Sequence, residues 1–420
     1  MDPGNPPGAR EPVTVSPESA SAFERLAPVD ALIGVSSTGQ GRRALPLLEA
    51  AASALSTLLP GRPTAVVAVE ANPADETRDA LRDWSETPSE GGPARLWFDP
   101  TGPFGPPPSL VSVLVAARRL GAAACAVVDA SLGRLSPKQA VALLEPVVAG
   151  EAELVCPVYT RAVSEGTLTS NLLVPLTRAL YGRRMAQVAG GCLALSGALV
   201  ARCLDGEGPD PRWSGPGLEI WLTLEALASG AAAVEVGLGP KPVEPDGSSA
   251  DLATILVRAV GPVLTLMDRH GALWLDVRGS TPVPRRGEPA PVTPDPAPPT
   301  TDRMVRGFRL GLKDLLPVWE QVMPEATLAR LYPLGLLAAD EFRFPPDLWA
   351  RVISDFAVAH HERRLPYDHL LRALTPLYLG RVAAFLLDAR ARPAAQVDGL
   401  VESMAQAFEV EKPSLVARWR

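Results

Sequence analysis

Apolar and polar positions change rhythm along this chain, and the change predicts its elements. From about residue 28, short β-compatible runs recur: ALIGVS (31–36), TAVVAVE (64–70), ARLWF (94–98), AACAVVDA (123–130) and ELVCPVY (153–159). Each is separated from the next by a segment able to form a helix. Nearly all-apolar strands alternating with helices predict a mostly parallel sheet covered on both faces. A Pro-rich stretch, STPVPRRGEPAPVTPDPAPPTTD (280–302), interrupts this pattern and reads as an extended linker. Beyond it, LKDLLPVWEQVM, PDLWARVISDFAVAHHE, DHLLRALTPLYLGRVAAFLLDARAR and QVDGLVESMAQAFEV carry apolar residues at helical spacing. The expected organisation is a disordered, Pro/Gly/Ser-rich tail at 1–27, an α/β domain at 28–278, a linker at 279–302 and an all-helical domain at 303–420.

Composition narrows the function classes. A chain of 420 residues exceeds the size at which single cores stop growing, roughly 250–300 residues. The net charge of −7 comes from acidic and basic residues mixed along the chain, with no basic stripe, so nucleic acid is not an expected partner. The four cysteines, Cys125, Cys156, Cys192 and Cys203, have no metal-ligand spacing and read as buried thiols of a reducing cytoplasm. The first residues lack the apolar core of a signal peptide, and no apolar run reaches the ~18 residues of a membrane span. The richest, SLVSVLVAARRLGAAACAVVDA, is cut by Arg118 and Arg119. A soluble cytoplasmic protein is expected.

Sheets of this kind bind ligands at the carboxyl ends of their strands, where Asp129 of VVDAS stands. In PVYTRAVSEGTLTSNLLVPLTRALYGRR (157–184), a Gly-Thr turn leads into a helix expected over 168–181, with Thr167 or Thr169 able to cap it. Free N–H groups at such a turn suit a phosphate or carboxylate, to which Arg161 adds a charged fork. On motif grounds alone, a Thr before a helix is more often only a cap. Two further features change the context: Gly190 and Gly191 let backbone approach a ligand closely, and Glu219 opens a helix within GPGLEIWLTLEALASG (215–230). Asp129, the Gly-Thr turn, the glycine pair and Glu219 are expected to converge on one crevice. Against this stand plainer roles: a turn cap for Asp129, a dipole-favoured carboxylate for Glu219, core or rim aromatics for Trp213 and Trp221, and packing or surface roles for His360, His361 and His369.

The strings VVDAS, PVYTR, EGTLTSNLLVPLTRALYGRR, the GG at 190–191, GLEIWLT and VGLGPK resemble the GT-A glycosyltransferases typified by glucosyl-3-phosphoglycerate synthase and mannosylglycerate synthase, in order and spacing over roughly residues 30–270. The resemblance implies a GT-A fold and transfer of a sugar from a nucleotide-diphosphate donor to a small acidic acceptor of glycerate or phosphoglycerate type. It places Asp129 and Ser131 at the family's Asp-x-Asp, and Gly166, Thr167, Thr169 and Asn171 in its acceptor-binding turn, with Arg161, Gly190 and Gly191 beside them. Glu219 is the candidate catalytic carboxylate; Glu70 and Lys241 fall on the donor side.

Three departures bear on the metal, Mg²⁺ or Mn²⁺ in such enzymes. Ser131 replaces the second acidic residue and offers a hard divalent ion only a neutral hydroxyl. The Lys-x-His segment reads Lys241-Pro242-Val243-Glu244, and the nucleotide turn reads Glu70-Ala71-Asn72-Pro73-Ala74-Asp75. A surviving metal site would combine Asp129 with Glu244, or with Glu70 or Asp75. The alternative is a non-catalytic binding or regulatory protein on the same fold. The sugar, the nucleotide base, the acceptor and the oligomeric state, a homodimer included, are not readable.

Overall fold

The apolar runs form strands β1 (Ala31–Ser37), β2 (Thr64–Glu70), β3 (Ala94–Phe98), β4 (Ala124–Asp129) and β5 (Leu154–Thr160), joined by β6 (Cys192–Ser196) and β7 (Ala233–Pro240). The computed structural model describes residues 13–39, 41–70, 75–89, 91–101, 108–242, 251–287, 293, 299–393 and 396–420. Two compact units divide the chain: residues 1–157, 189–238 and 242–247 in one, 158–188, 239–241 and 248–420 in the other.

In the first unit the strand order is β7-β5-β6-β4-β1-β2-β3. Pairs β4–β1, β1–β2 and β2–β3 are parallel, whereas β6 runs antiparallel to both β4 and β5. This is the mostly parallel, helix-covered sheet that the alternating pattern predicts. Val66, Val67, Val127 and their neighbours are buried on both faces, which is why these strands are apolar without alternation. Helices Leu45–Leu58 and Pro137–Val148 pack together against it, as do Ser109–Arg119 and Gly197–Asp205. Pro137–Val148 starts at a capping box in which Ser136 and Gln139 satisfy each other's backbone N–H groups. The close approach of Ser109–Arg119 requires a missing side chain: a Cβ on Gly34 would lie 2.2 Å from Val113 Cγ1.

The second unit is helical at its core. Helix Thr301–Asp314 lies against Thr375–Arg390, and Val397–Trp419 lies against both Pro346–His361 and Val174–Tyr181. Phe308, Phe342, Phe344 and Trp349 form a chain of ring contacts, edge-on for Phe308–Phe342 (ring centres 5.3 Å apart) and Phe344–Trp349 (5.7 Å) and tilted for Phe308–Phe344 (6.0 Å). Helical structure runs from 167 through Tyr181, with a π turn over Thr169–Leu173 that inserts one extra residue.

Three expectations need correction. The division into units does not fall at 279–302, because Val174–Tyr181 packs on Val397–Trp419, and Leu252–Arg269 packs on Tyr367–Ala373. The expected disordered tail contains a helix, Pro17–Leu26, capped by Ser16 and anchored by buried Phe23 against Phe98. One helical stretch, Tyr367–Arg390, is long and apolar enough to cross a membrane by length and composition; most of it is buried within the protein. The four cysteines are buried free thiols, and burial pushes the Cys125 thiol up to about 12.

Candidate functional site

The expected site residues fall into two sets, one in each unit. In the first, the ends of three neighbouring parallel strands bring the donor candidates side by side: Ser36 pairs with Asp129, and Ser37 with Glu70. Glu70 is buried and accepts hydrogen bonds from Ser37 Oγ (2.6 Å) and the Gly39 N–H (2.8 Å). It holds the turn after β1. Asp129 Oδ1 accepts the Ser131 N–H at 2.8 Å and so caps the turn Ala130–Leu132, while Ser131 itself is exposed.

Glu219 joins this set through backbone. One of its oxygens, Oε2, accepts the N–H groups of Gly190 (2.8 Å) and Gly191 (2.9 Å), and the Gly191 carbonyl accepts the Asp129 N–H (2.8 Å). The carboxylate is 5% exposed. Asp129, the glycine pair and Glu219 are linked in this way, with Glu219 holding the loop, whereas the Gly-Thr turn, the fourth member of the expected crevice, belongs to the second unit. Gly191 has φ +84°, a left-handed conformation that strains any side chain, and a Cβ there would also press on Leu132 Cδ1 at 3.2 Å.

A divalent ion of the Mg²⁺ or Mn²⁺ kind wants several oxygen ligands. Among the described residues, no three His, Cys, Asp or Glu side chains gather to hold one. Asp129 brings a single carboxylate and Ser131 a hydroxyl, which is not a divalent-ion donor set. Glu244, and the side chain of Asp75, lie outside the described residues.

The second unit holds Arg161, Gly166, Thr167, Thr169, Asn171 and Lys241. Lys241 is exposed, its N–H donating to the Thr160 carbonyl at 3.3 Å. Thr167 and Asn171 make hydrogen bonds within the protein. Thr167 Oγ1 lies 2.8 Å from the hydroxyl of buried Tyr378, and neither Thr167 nor Thr169 caps the helix. Asn171 is fully buried, donating to the Thr167 carbonyl (2.9 Å) and accepting from Arg381 Nε (3.0 Å) on its side chain, while its own carbonyl accepts from Trp349 Nε1 (2.7 Å). Arg381 also donates to the Phe344 carbonyl, and burial pushes its guanidinium down to about 10.

Arg161 and Thr169 do line a cavity of about 390 Å³, all of whose walls come from the second unit. Arg161 lies across the Gly-Thr turn, and this is what Gly166 permits: at φ +69°, a Cβ there would sit 2.1 Å from Arg161 Nη1. Burial holds the Arg161 guanidinium below its usual range, against the opposing pull of Glu165. A residue not anticipated from sequence is Arg178, 7% exposed, which pairs with Glu402 (2.7 Å) and Glu409 (2.9 Å) of the last helix. The i, i+7 spacing of those two acids was the available signal.

Similar solved structures include glucosyl-3-phosphoglycerate synthase from Mycobacterium tuberculosis in complex with Mg²⁺ and UDP, at 18% identity over 60% of this chain and 83% of that one, TM-score 0.41. Mannosyl-3-phosphoglycerate synthase from Rubrobacter xylanophilus matches at 17% identity over 61% and 80%, TM-score 0.42. A mannosyltransferase from Pyrobaculum calidifontis in complex with GDP-Man and Mn²⁺ matches at 14% identity over 94% and 93%, TM-score 0.40. At such identities and TM-scores these likenesses carry neither substrate nor mechanism to this chain. No protein-family model and no curated protein matches it.

Proposed function

We propose that the chain transfers a sugar from a nucleotide-diphosphate donor to a small anionic acceptor. The observation that carries this reading is the linked set at the strand ends of the first unit, where Glu219 fixes the glycine pair and the glycine pair fixes Asp129. Open α/β sheets bind nucleotides at such ends. Asp129 Oδ1 is used by the turn, so Oδ2 is the oxygen it presents to a donor. In the second unit, Arg161 supplies a cation for the acceptor's acid group and Thr169 a hydroxyl at the same cavity. The glycerate or phosphoglycerate acceptor type follows from the sequence resemblance. A metal bound there would offset charge on the leaving diphosphate; with the residues described, no step depends on one.

One observation favours a second reading, a non-catalytic binding protein on this fold: Ser131 stands where a second carboxylate would complete a metal site. Calorimetric titration with UDP-sugars and GDP-sugars, each with and without Mg²⁺ or Mn²⁺, separates the two. Transfer predicts binding that Asp129→Ala abolishes, followed by product formation with glycerate-type acceptors. Binding without turnover selects the second reading, and no nucleotide-sugar binding under any condition removes the first.

A further inference from the structure

The cavity around Arg161 is graded from floor to rim. Its floor is apolar and buried: Phe385, Val158, Val174, Met185 and Ala405 are each no more than 7% exposed. Its rim is charged and open, with Arg184, Arg285, Glu165 and Asp398 exposed. Volume is the second observation. About 390 Å³ falls within the range of pockets that enclose drug-sized ligands, roughly 300–1,000 Å³. A three-carbon acid would fill only part of it and would leave the floor against water.

Charge is the third. Arg178 is already matched by Glu402 and Glu409. Arg161 has no carboxylate within ion-pair distance among the described residues; its one side-chain hydrogen bond, to Thr169 Oγ1, is long at 3.5 Å. Arg184 interacts with Glu402 only as a neighbouring charge, without a hydrogen bond among the described residues. Two guanidinium groups beside an apolar floor suit an anion at the rim and hydrocarbon beneath it.

We propose that this cavity takes an amphiphilic acid, a phosphate or carboxylate head on an apolar body of several carbons, in place of a bare three-carbon acid. The proposal rests on reading the cavity as the acceptor site. The C-terminal helices then set acceptor specificity, because Phe385 and Ala405 belong to Thr375–Arg390 and Val397–Trp419.

The test is calorimetric titration of the full chain, without donor, using inorganic phosphate, glycerol 3-phosphate, 3-phosphoglycerate and hexyl phosphate. Hexyl phosphate is expected to bind at least tenfold tighter than the other three. Val401 of Val397–Trp419 also lines the cavity, so Val401→Phe, which fills it from that wall, is expected to erase the advantage, and Arg161→Met to weaken all four; circular dichroism checks that each variant is folded. Equal or tighter binding of 3-phosphoglycerate overturns the amphiphile and leaves sugar transfer standing. An unchanged preference for hexyl phosphate in a folded Val401→Phe also overturns it. If no probe binds, the cavity is not the acceptor site, while the nucleotide-sugar titration still reports separately on transfer.

Discussion

Replacing Glu219 with alanine removes the acceptor of two backbone N–H groups at once. Gly190 is buried and Gly191 half-buried, so water does not fully replace the carboxylate. Hydrogen bonds to a charged group contribute roughly 1.5–3 kcal/mol each, and the two share one oxygen, so Glu219→Ala is expected to cost about 3–5 kcal/mol. That is a large share of the ~5–15 kcal/mol by which domains are stable. Glu219→Gln retains an acceptor oxygen and should lose less than half as much. The assay is urea denaturation together with amide hydrogen exchange at Gly190, Gly191 and Asp129. The expected result is faster exchange at all three in Glu219→Ala, because the Gly191 carbonyl also holds Asp129. A loss of stability under ~1 kcal/mol with unchanged exchange would refute the anchoring role. Lost turnover in a fully stable Glu219→Gln would mark the carboxylate as a catalytic group instead.

Arg381→Met strands the Asn171 side-chain oxygen and the Phe344 carbonyl in the core, and a loss of about 3–5 kcal/mol is expected in the helical unit, read by urea denaturation. Asn171→Ala should likewise lower stability while leaving phosphate-probe affinity within twofold in the folded fraction. Lys412 donates to the carbonyls of Ala179 and Val277, and burial pushes it down to about 8 from 10.5. Between those pH values the unfolded chain binds more protons, so stability rises with pH through that window. The rise should vanish in Lys412→Met when melting is followed from pH 7.5 to 10.5. Gly166→Ala, placing a methyl on Arg161 at a left-handed position, should weaken phosphate-probe binding at least fivefold by calorimetry.

The parallel sheet is legible because strands buried on both faces must be apolar throughout, and TAVVAVE marks β2 to the residue, while ARLWF marks β3, the half-buried edge strand. Helix Pro17–Leu26 is masked in the sequence because Pro and Ser, which signal disorder in bulk, here serve as first-turn residue and cap. Asp129, Gly190, Gly191 and Glu219 are joined by hydrogen bonds in the fold, and the Gly-Thr turn expected beside them belongs to the other unit. What residue type does not disclose is direction. A Glu at a helix start looks the same whether it faces a ligand or two glycine amides. Asn171 looked like a ligand contact because its partner, Arg381, lies 210 positions away and only the tertiary fold joins them.

The π turn at Thr169–Leu173 sets the phase of everything after it. Thr167 and Arg178 are eleven positions apart, which in an uninterrupted α-helix is within about 20° of three whole turns and would point both the same way. The inserted residue leaves them roughly 80° out of phase. Thr167 meets Tyr378 on one helix, while Arg178 reaches Glu402 and Glu409 on another. One residue of slack lets a single helix serve two neighbours, and a one-residue deletion there would close the π turn into a regular helix in which the two ends, now ten positions apart, stay roughly 80° out of phase and keep both neighbours in reach.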